Sequence, residues 1–149
     1  MAILPVEFSV LSPRLSRLFA QTSPDAVLLL GVAGRRKALS VETLARNRVS
    51  TLRPDAAKQQ AWSRKIAHGA PEFFHSSAPS GRFVALARRA GVPAEISRDA
   101  GDYLCNESFY LSLLMDRRAA FIHLPDWRGA PLDRAARAIE AMAKTFVLA

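Results

Sequence analysis

The sequence predicts an α/β fold, a three-layer α/β/α sandwich around a mainly parallel, twisted sheet. Three observations predict it. Short apolar runs alternate with amphipathic helical stretches along the chain, the pattern of strands connected through helices. The runs Ala26 to Leu30 and Ala119 to His123 are almost continuously hydrophobic, as strands covered on both faces are. The chain has 149 residues, half of them hydrophobic, which suits one domain over 1–149 with a single core.

Taken in order, Ile3 to Phe8 reads as a strand. Ser12-Pro13 forms a cap and first-turn pair that opens a helix to Gln21, with Leu15, Leu18 and Phe19 on one face. Ala26 to Leu30 is a buried strand ended by Gly31, and Leu39 to Val49 is a further extended piece. Residues 50–80 hold Pro54, Pro71, Pro79 and many small polar residues, which predict a long loop with one short helix near Trp62. Gly81 to Ala90 reads as a helix stopped by Gly91, a residue free to adopt the left-handed conformation that ends helices. A short strand at Glu95 to Ser97, a helix from Leu104 to Met115, the strand Ala119 to His123 and an amphipathic helix from Leu132 to Val147 complete the chain. No internal repeat or low-complexity tract interrupts it.

Composition removes several function classes. The formal charge is +8, from 21 Lys and Arg against 13 Asp and Glu, which raises nucleic acid as a partner. The arginines are scattered, however, and the pairs Arg35-Arg36, Arg88-Arg89 and Arg117-Arg118 fall at loops or helix ends, where solvated cations are common. No helix-turn-helix, zinc or aromatic-basic motif accompanies the charge, so specific nucleic-acid binding is not expected. One cysteine allows no intrachain disulfide and fits a reducing cytoplasm. The first residues lack the basic and apolar regions of a signal peptide, and no run approaches the roughly 18 apolar residues of a membrane span. One Cys and three scattered His give no metal-ligand spacing, so no metal or organic cofactor is expected.

The chemistry concentrates around Cys105. Short polar and glycine residues, Ser97 to Asp102, precede it, and Phe109, Tyr110, Leu111, Leu113 and Leu114 follow at helical spacing. The sulfur therefore lies where a turn feeds a helix, and the positive helix end favours its thiolate. His123 lies toward the end of the next strand. A thiol at a helix start and an imidazole at a strand end suit nucleophilic catalysis, in which the imidazole takes and returns the proton. The same pair also suits a buried structural cysteine and a core histidine. His68 and His75, in the Pro-rich loop, read as surface or packing residues, and Asp99, Asp102 and Glu107 as capping or surface groups.

The wording of the chain is similar to that of pyroglutamyl peptidase I, a family of cysteine peptidases. Cys105-Asn106, Phe109-Tyr110 and Phe121-Ile122-His123-Leu124-Pro125 fit its signature in order. Upstream, Gly31-Val32-Ala33-Gly34-Arg35-Arg36 and Val41-Glu42-Thr43-Leu44-Ala45-Arg46-Asn47 resemble its Gly-x-Ala-Gly-Gly-Arg and Val-Glu-Arg-x-Ala-x-Asn segments. The resemblance implies a phosphorylase/hydrolase-like fold and removal of N-terminal pyroglutamate from peptides through a thioester acyl-enzyme. It implies a triad of Cys105, His123 and Glu42, with Glu42 orienting the imidazole. It also implies an oxyanion-binding arginine ahead of Pro54-Asp55. Aligned there, the family's position holds Leu52, and Arg53 is next to it, so Arg53 serves only if the backbone turns it inward.

The chain begins at what resembles the family's second strand, Leu4 to Phe8, without the first strand and the phenylalanine loop that walls the pyrrolidone ring. An exposed strand edge, self-association as a homo-oligomer and weak turnover are expected. The alternative is a non-catalytic or truncated relative that keeps the fold as a peptide- or protein-binding module.

Overall fold

The computed structural model describes residues 1–115 and 117–148. In chain order the elements are helix α1 (Phe8–Thr22), strands β1 (Val27–Val32), β2 (Leu39–Glu42), β3 (Leu44–Arg46) and β4 (Phe73–His75), and helix α2 (Ser80–Arg89). Strand β5 (Ala94–Ser97), helix α3 (Leu104–Leu114), strand β6 (Ala119–Leu124) and helix α4 (Ala130–Leu148) follow. The main sheet has the order β1-β6-β2-β5. β1 runs parallel to β6 and β2 parallel to β5, and the two pairs meet along an antiparallel seam between β2 and β6. β3 and β4 form a separate antiparallel pair.

The period-two alternation of strand side chains divides the sheet into two packed faces. Leu39, Val41, Ala120, Ile122 and Leu124 meet Phe83 and Ala87 of α2 and Met142 and Phe146 of α4. Leu29, Ala119 and Phe121 point the other way, onto Phe109 and Tyr110 of α3. On the far side of α3, Leu104 and Leu111 receive Leu11, Leu15 and Phe19 of α1. Lying between sheet and α1, α3 buries residues all around its circumference. Helices on both faces make the expected three layers. β6 is buried along its whole length. β1 is an edge strand, with Leu30 at 49% and Val32 at 69% exposure.

Four expectations are corrected. Ile3 to Glu7 is not a strand, and Phe8 is already helical. The first helix does not start at Ser12-Pro13, because its cap comes from elsewhere. Asp55 Oδ2 accepts the Phe8 N–H at 2.9 Å, while its Oδ1 accepts that of Gln59 at 2.8 Å. Burial pushes the Asp55 carboxyl up, yet the N–H donors of Phe8, Gln59 and Ala57 outweigh it and hold the group below its ordinary value. Pro13 sits inside the helix on its exposed side, where the missing hydrogen bond leaves a carbonyl to water. β1 passes through Gly31 to Val32 instead of ending there. Residues near Trp62 form no helix, and the long loop instead contributes β4.

Candidate active site

Strand parity begins the site. Ser40 and Glu42 on β2 and Phe121 and His123 on β6 share the face that looks toward α3, and the register sets Ser40 opposite His123 and Glu42 opposite Phe121. His123 Nδ1–H donates to Glu42 Oε1 at 2.8 Å, with Glu42 fully buried and His123 5% exposed. The carboxylate can only accept, so this bond fixes the ring tautomer and leaves Nε2 for the neighbouring cavity. The Phe121 ring packs against the imidazole, centroids 4.7 Å apart.

Cys105 is brought to this face by the start of α3. Tyr103 is extended (φ −124°, ψ −168°) and the helix begins at Leu104, so Cys105 lies in the first turn. The helical ladder opens with Glu107 N–H donating to Tyr103 O at 3.0 Å, and the N–H groups of Leu104, Cys105 and Asn106 precede it. Asn106 locks the helix end in place. Its Oδ1 accepts the Arg46 N–H at 2.9 Å, and its Nδ2 donates to Arg46 O and Arg48 O, each at 2.8 Å. Gly31 on β1 makes room for the sulfur: a Cβ there would lie 3.0 Å from Cys105 Sγ and 2.9 Å from Phe121 Cζ. Gly31 is also the register partner of His123.

Cys105 and His123 both line a cavity of about 740 Å³, together with Gly34, Arg36, Arg53 and Tyr103. No hydrogen bond joins Sγ to the ring among the described residues. A second, more apolar groove of about 470 Å³ reaches Cys105 between Leu4, Val6, Leu29, Gly31 and Phe121. Burial pushes the Cys105 thiol above its ordinary value, and Glu42 adds to the rise, while Arg53 and Arg36 pull it down. The helix end thus does not leave a free thiolate as the sequence suggests. Desolvation wins, and the sulfur rests as a thiol that needs a base.

Of the paired candidates before Pro54, Leu52 points to solvent at 81% exposure. Arg53 lines both cavities and lays its guanidinium over the Tyr103 ring, 4.5 Å from the centroid. Tyr103 is itself fixed by its hydroxyl, which donates to Pro54 O at 2.8 Å. His68 and His75 lie away from the cavity, His68 beside Ser63 Oγ and His75 on β4.

Sequence reasoning missed two residues. Arg36, read as a solvated loop cation, forms an ion pair with Glu42 Oε1 at 2.7 Å and donates to Asp99 O at 2.7 Å. Its signal was its place as the closing arginine of the glycine-rich motif. Glu107, read as a capping or surface group, is buried two residues from the thiol. Among the described residues no three His, Cys, Asp or Glu side chains gather as a metal-binding group.

Known proteins resemble this chain in sequence and in fold. The family described as pyroglutamyl peptidase matches residues 1–145. The pyrrolidone-carboxylate peptidase of Thermococcus onnurineus is 34% identical over 151 aligned positions, which cover 96% of this chain and 76% of that protein. The crystal structure of pyrrolidone carboxyl peptidase from Thermus thermophilus superposes with a TM-score of 0.87 at 34% identity, over 96% of this chain and 80% of that one. That of pyroglutamyl peptidase I from Bacillus amyloliquefaciens gives 0.87 at 27% identity, over 98% and 77%. The chain belongs to the pyroglutamyl peptidase family.

Proposed function

We propose that this protein is a cysteine peptidase that hydrolyses the N-terminal pyroglutamyl residue from peptides, with Cys105 as nucleophile, His123 as acid and base, and Glu42 orienting the ring. The observation that carries the reading is the His123–Glu42 hydrogen bond on the wall of the cavity that Cys105 enters from a helix start. Because burial keeps the sulfur protonated, His123 Nε2 takes its proton as Sγ attacks the pyroglutamyl carbonyl. The oxyanion that forms meets the Cys105 N–H at the helix start, with Arg53 as a supporting cation. The imidazolium then protonates the departing peptide amine, leaving a thioester. Water, deprotonated by the same ring, attacks the thioester and releases pyroglutamate and the thiol. The balance closes without a cofactor.

The binding-module alternative is not favoured, since the relatives are named as peptidases. A cytoplasmic location is supported by the single cysteine, and no helix among the described residues is long and apolar enough to cross a membrane. Self-association is supported by the β1 edge, where Leu30 and Val32 stand exposed. The experiment is turnover of a fluorogenic pyroglutamyl amide by the chain and by Cys105→Ala. Release by the first and none by the second is expected. Equal release by both would remove Cys105 from the chemistry.

A further inference from the structure

Arg36 has no part in the bond-making steps above, yet its surroundings set it apart from the other arginines. The turn that carries it is held at the end of the strand bearing His123: Ala33 N–H donates to Leu124 O at 2.7 Å, and Arg36 N–H to Ala33 O at 2.9 Å. The side chain is 23% exposed, and one nitrogen, Nη2, lies against two oxygens of different segments. Glu42 Oε1 on β2 is 2.7 Å away, and the carbonyl of Asp99, in the loop leading to Cys105, is also 2.7 Å away. Glu42 Oε1 thus accepts from His123 and is ion-paired with Arg36, whereas its Oε2 is buried with no hydrogen-bond partner. A fully buried carboxylate needs a compensating charge, and removing the partner of such a pair leaves an uncompensated one. Among the described residues, Arg36 is the only arginine or lysine paired with it.

Resting on the peptidase reading, we infer that Arg36 is a positioning residue of the reaction. It pins the Glu42 carboxylate against the imidazole and ties that pair to the loop that delivers the nucleophile. The two anchors belong to different parts of the fold, one on β2 and one in the segment between β5 and α3. The Asp99 segment is short and internally braced, with Asp99 N–H on Ser97 Oγ at 3.2 Å and Gly101 N–H on Asp99 Oδ1 at 3.1 Å. A shift at Asp99 therefore reaches Cys105 with little slack. Arg48 approaches the Asp99 carboxylate only loosely, at 3.8 Å, so it is a weak substitute. A solvated cation would make neither contact at 2.7 Å.

The test uses Arg36→Gln and Arg36→Lys in the full chain, with two readouts. One is kcat and KM on the pyroglutamyl amide. The other is the pH profile of iodoacetamide alkylation of Cys105, the only thiol in the chain. Arg36→Gln is expected to lower kcat about a hundredfold, the cost of misplacement near 1 Å, with KM little changed. Its alkylation midpoint is expected to move to higher pH, because a guanidinium that pulls the thiol down is gone. Arg36→Lys offers one compact ammonium in place of the planar fork and is expected to fall between. Wild-type kcat and alkylation profile in Arg36→Gln would overturn the inference. If Arg36→Gln does not fold, wild-type kcat and profile in Arg36→Lys would overturn it. If the unaltered chain shows no turnover, the peptidase reading fails, and the alkylation profile alone decides: moved in Arg36→Gln, it upholds the coupling, and unmoved, it refutes it.

Discussion

The two faces of β6 make different demands on neighbouring residues. Ala120, Ile122 and Leu124 enter a core built with Phe83, Met142 and Phe146, and α2, α4 and β5 contribute no buried polar side chain. Phe121 and His123, pointing the other way, meet a layer in which Ser40, Glu42, Asn106, Glu107, Ser108 and Ser112 are all buried. Most of these are matched. Ser112 Oγ donates to Ser108 O at 2.7 Å, Ser108 Oγ to Cys105 O at 3.0 Å, and Asn106 spends its amide on β3. Glu42 Oε2 and Glu107 Oε2 are not. An apolar face gains from area alone, while a face that holds polar groups gains only where each finds a partner. The site layer therefore gives up stability that the opposite layer keeps.

Adjacent residues on one strand break this comparison most sharply. His123→Ala is expected to abolish turnover, by roughly a thousandfold or more, and to cost about 1–3 kcal/mol in stability because the buried Glu42 carboxylate loses a donor. Ile122→Ala is expected to cost about 2–5 kcal/mol in stability and to leave kcat per folded molecule near its original value. Chemical denaturation and kinetics on the two variants give the four numbers. A His123→Ala protein with substantial turnover would return that residue to the core.

Gly31 tests the boundary between the two demands, since it serves packing and chemistry with the same missing atom. In Gly31→Ala the new methyl would lie 2.9 Å from Phe121 Cζ and 3.0 Å from Cys105 Sγ, inside van der Waals contact on both sides. The Phe121 ring is confined between Phe109 and the imidazole, at centroid distances of 5.8 Å and 4.7 Å, so the sulfur is the atom that must yield. A drop in kcat of about a hundredfold is expected, from displacement near 1 Å, together with a modest loss of stability. Unchanged kcat would mean that the thiol reacts from a different rotamer.

Much of the sheet, the helix start that carries Cys105 and the strand that carries His123 were legible in the sequence because their signals are local. Hydrophobic runs marked β1 and β6, and Gly91, at φ +72°, stopped α2 where expected. The start of α1 was not legible, because its cap is Asp55, distant in sequence, while Ser12-Pro13 imitates a cap within the helix. β4 escaped because nothing in Phe73–His75 alone specifies a strand. Its partner β3 is positioned by Asn106, and Asn47 fixes the adjoining loop through Ala67 and Ala70. Arg36 was hidden for a related reason: an Arg-Arg pair in a turn looks solvated until the folded strands carry Glu42 and Asp99 to it. The direction of the Cys105 shift needed burial, a tertiary property that helix position does not report.

The smallest effect separates the layers by pH. Glu107 is buried in α3 with one carboxyl oxygen unpartnered, and burial pushes its ionisation up to about 7 from an ordinary value of 4.5. Below about pH 4.5 the acid is protonated whether the chain is folded or unfolded, so its full contribution to stability is present there. As pH rises toward 7 the unfolded chain ionises first, the folded state holds the extra proton, and stability is lost across that window. Above about 7 the loss is complete and no longer changes with pH. Glu107→Gln keeps a neutral side chain of similar shape and removes this dependence. The other ionisable groups are common to both proteins, so the difference between them isolates Glu107. Urea midpoints at pH 5 and pH 8 are expected to show the variant gaining on the original chain at pH 8 relative to pH 5. Parallel pH profiles for the two proteins would show that Glu107 reaches water, and that the site layer is less sealed than the face across the sheet.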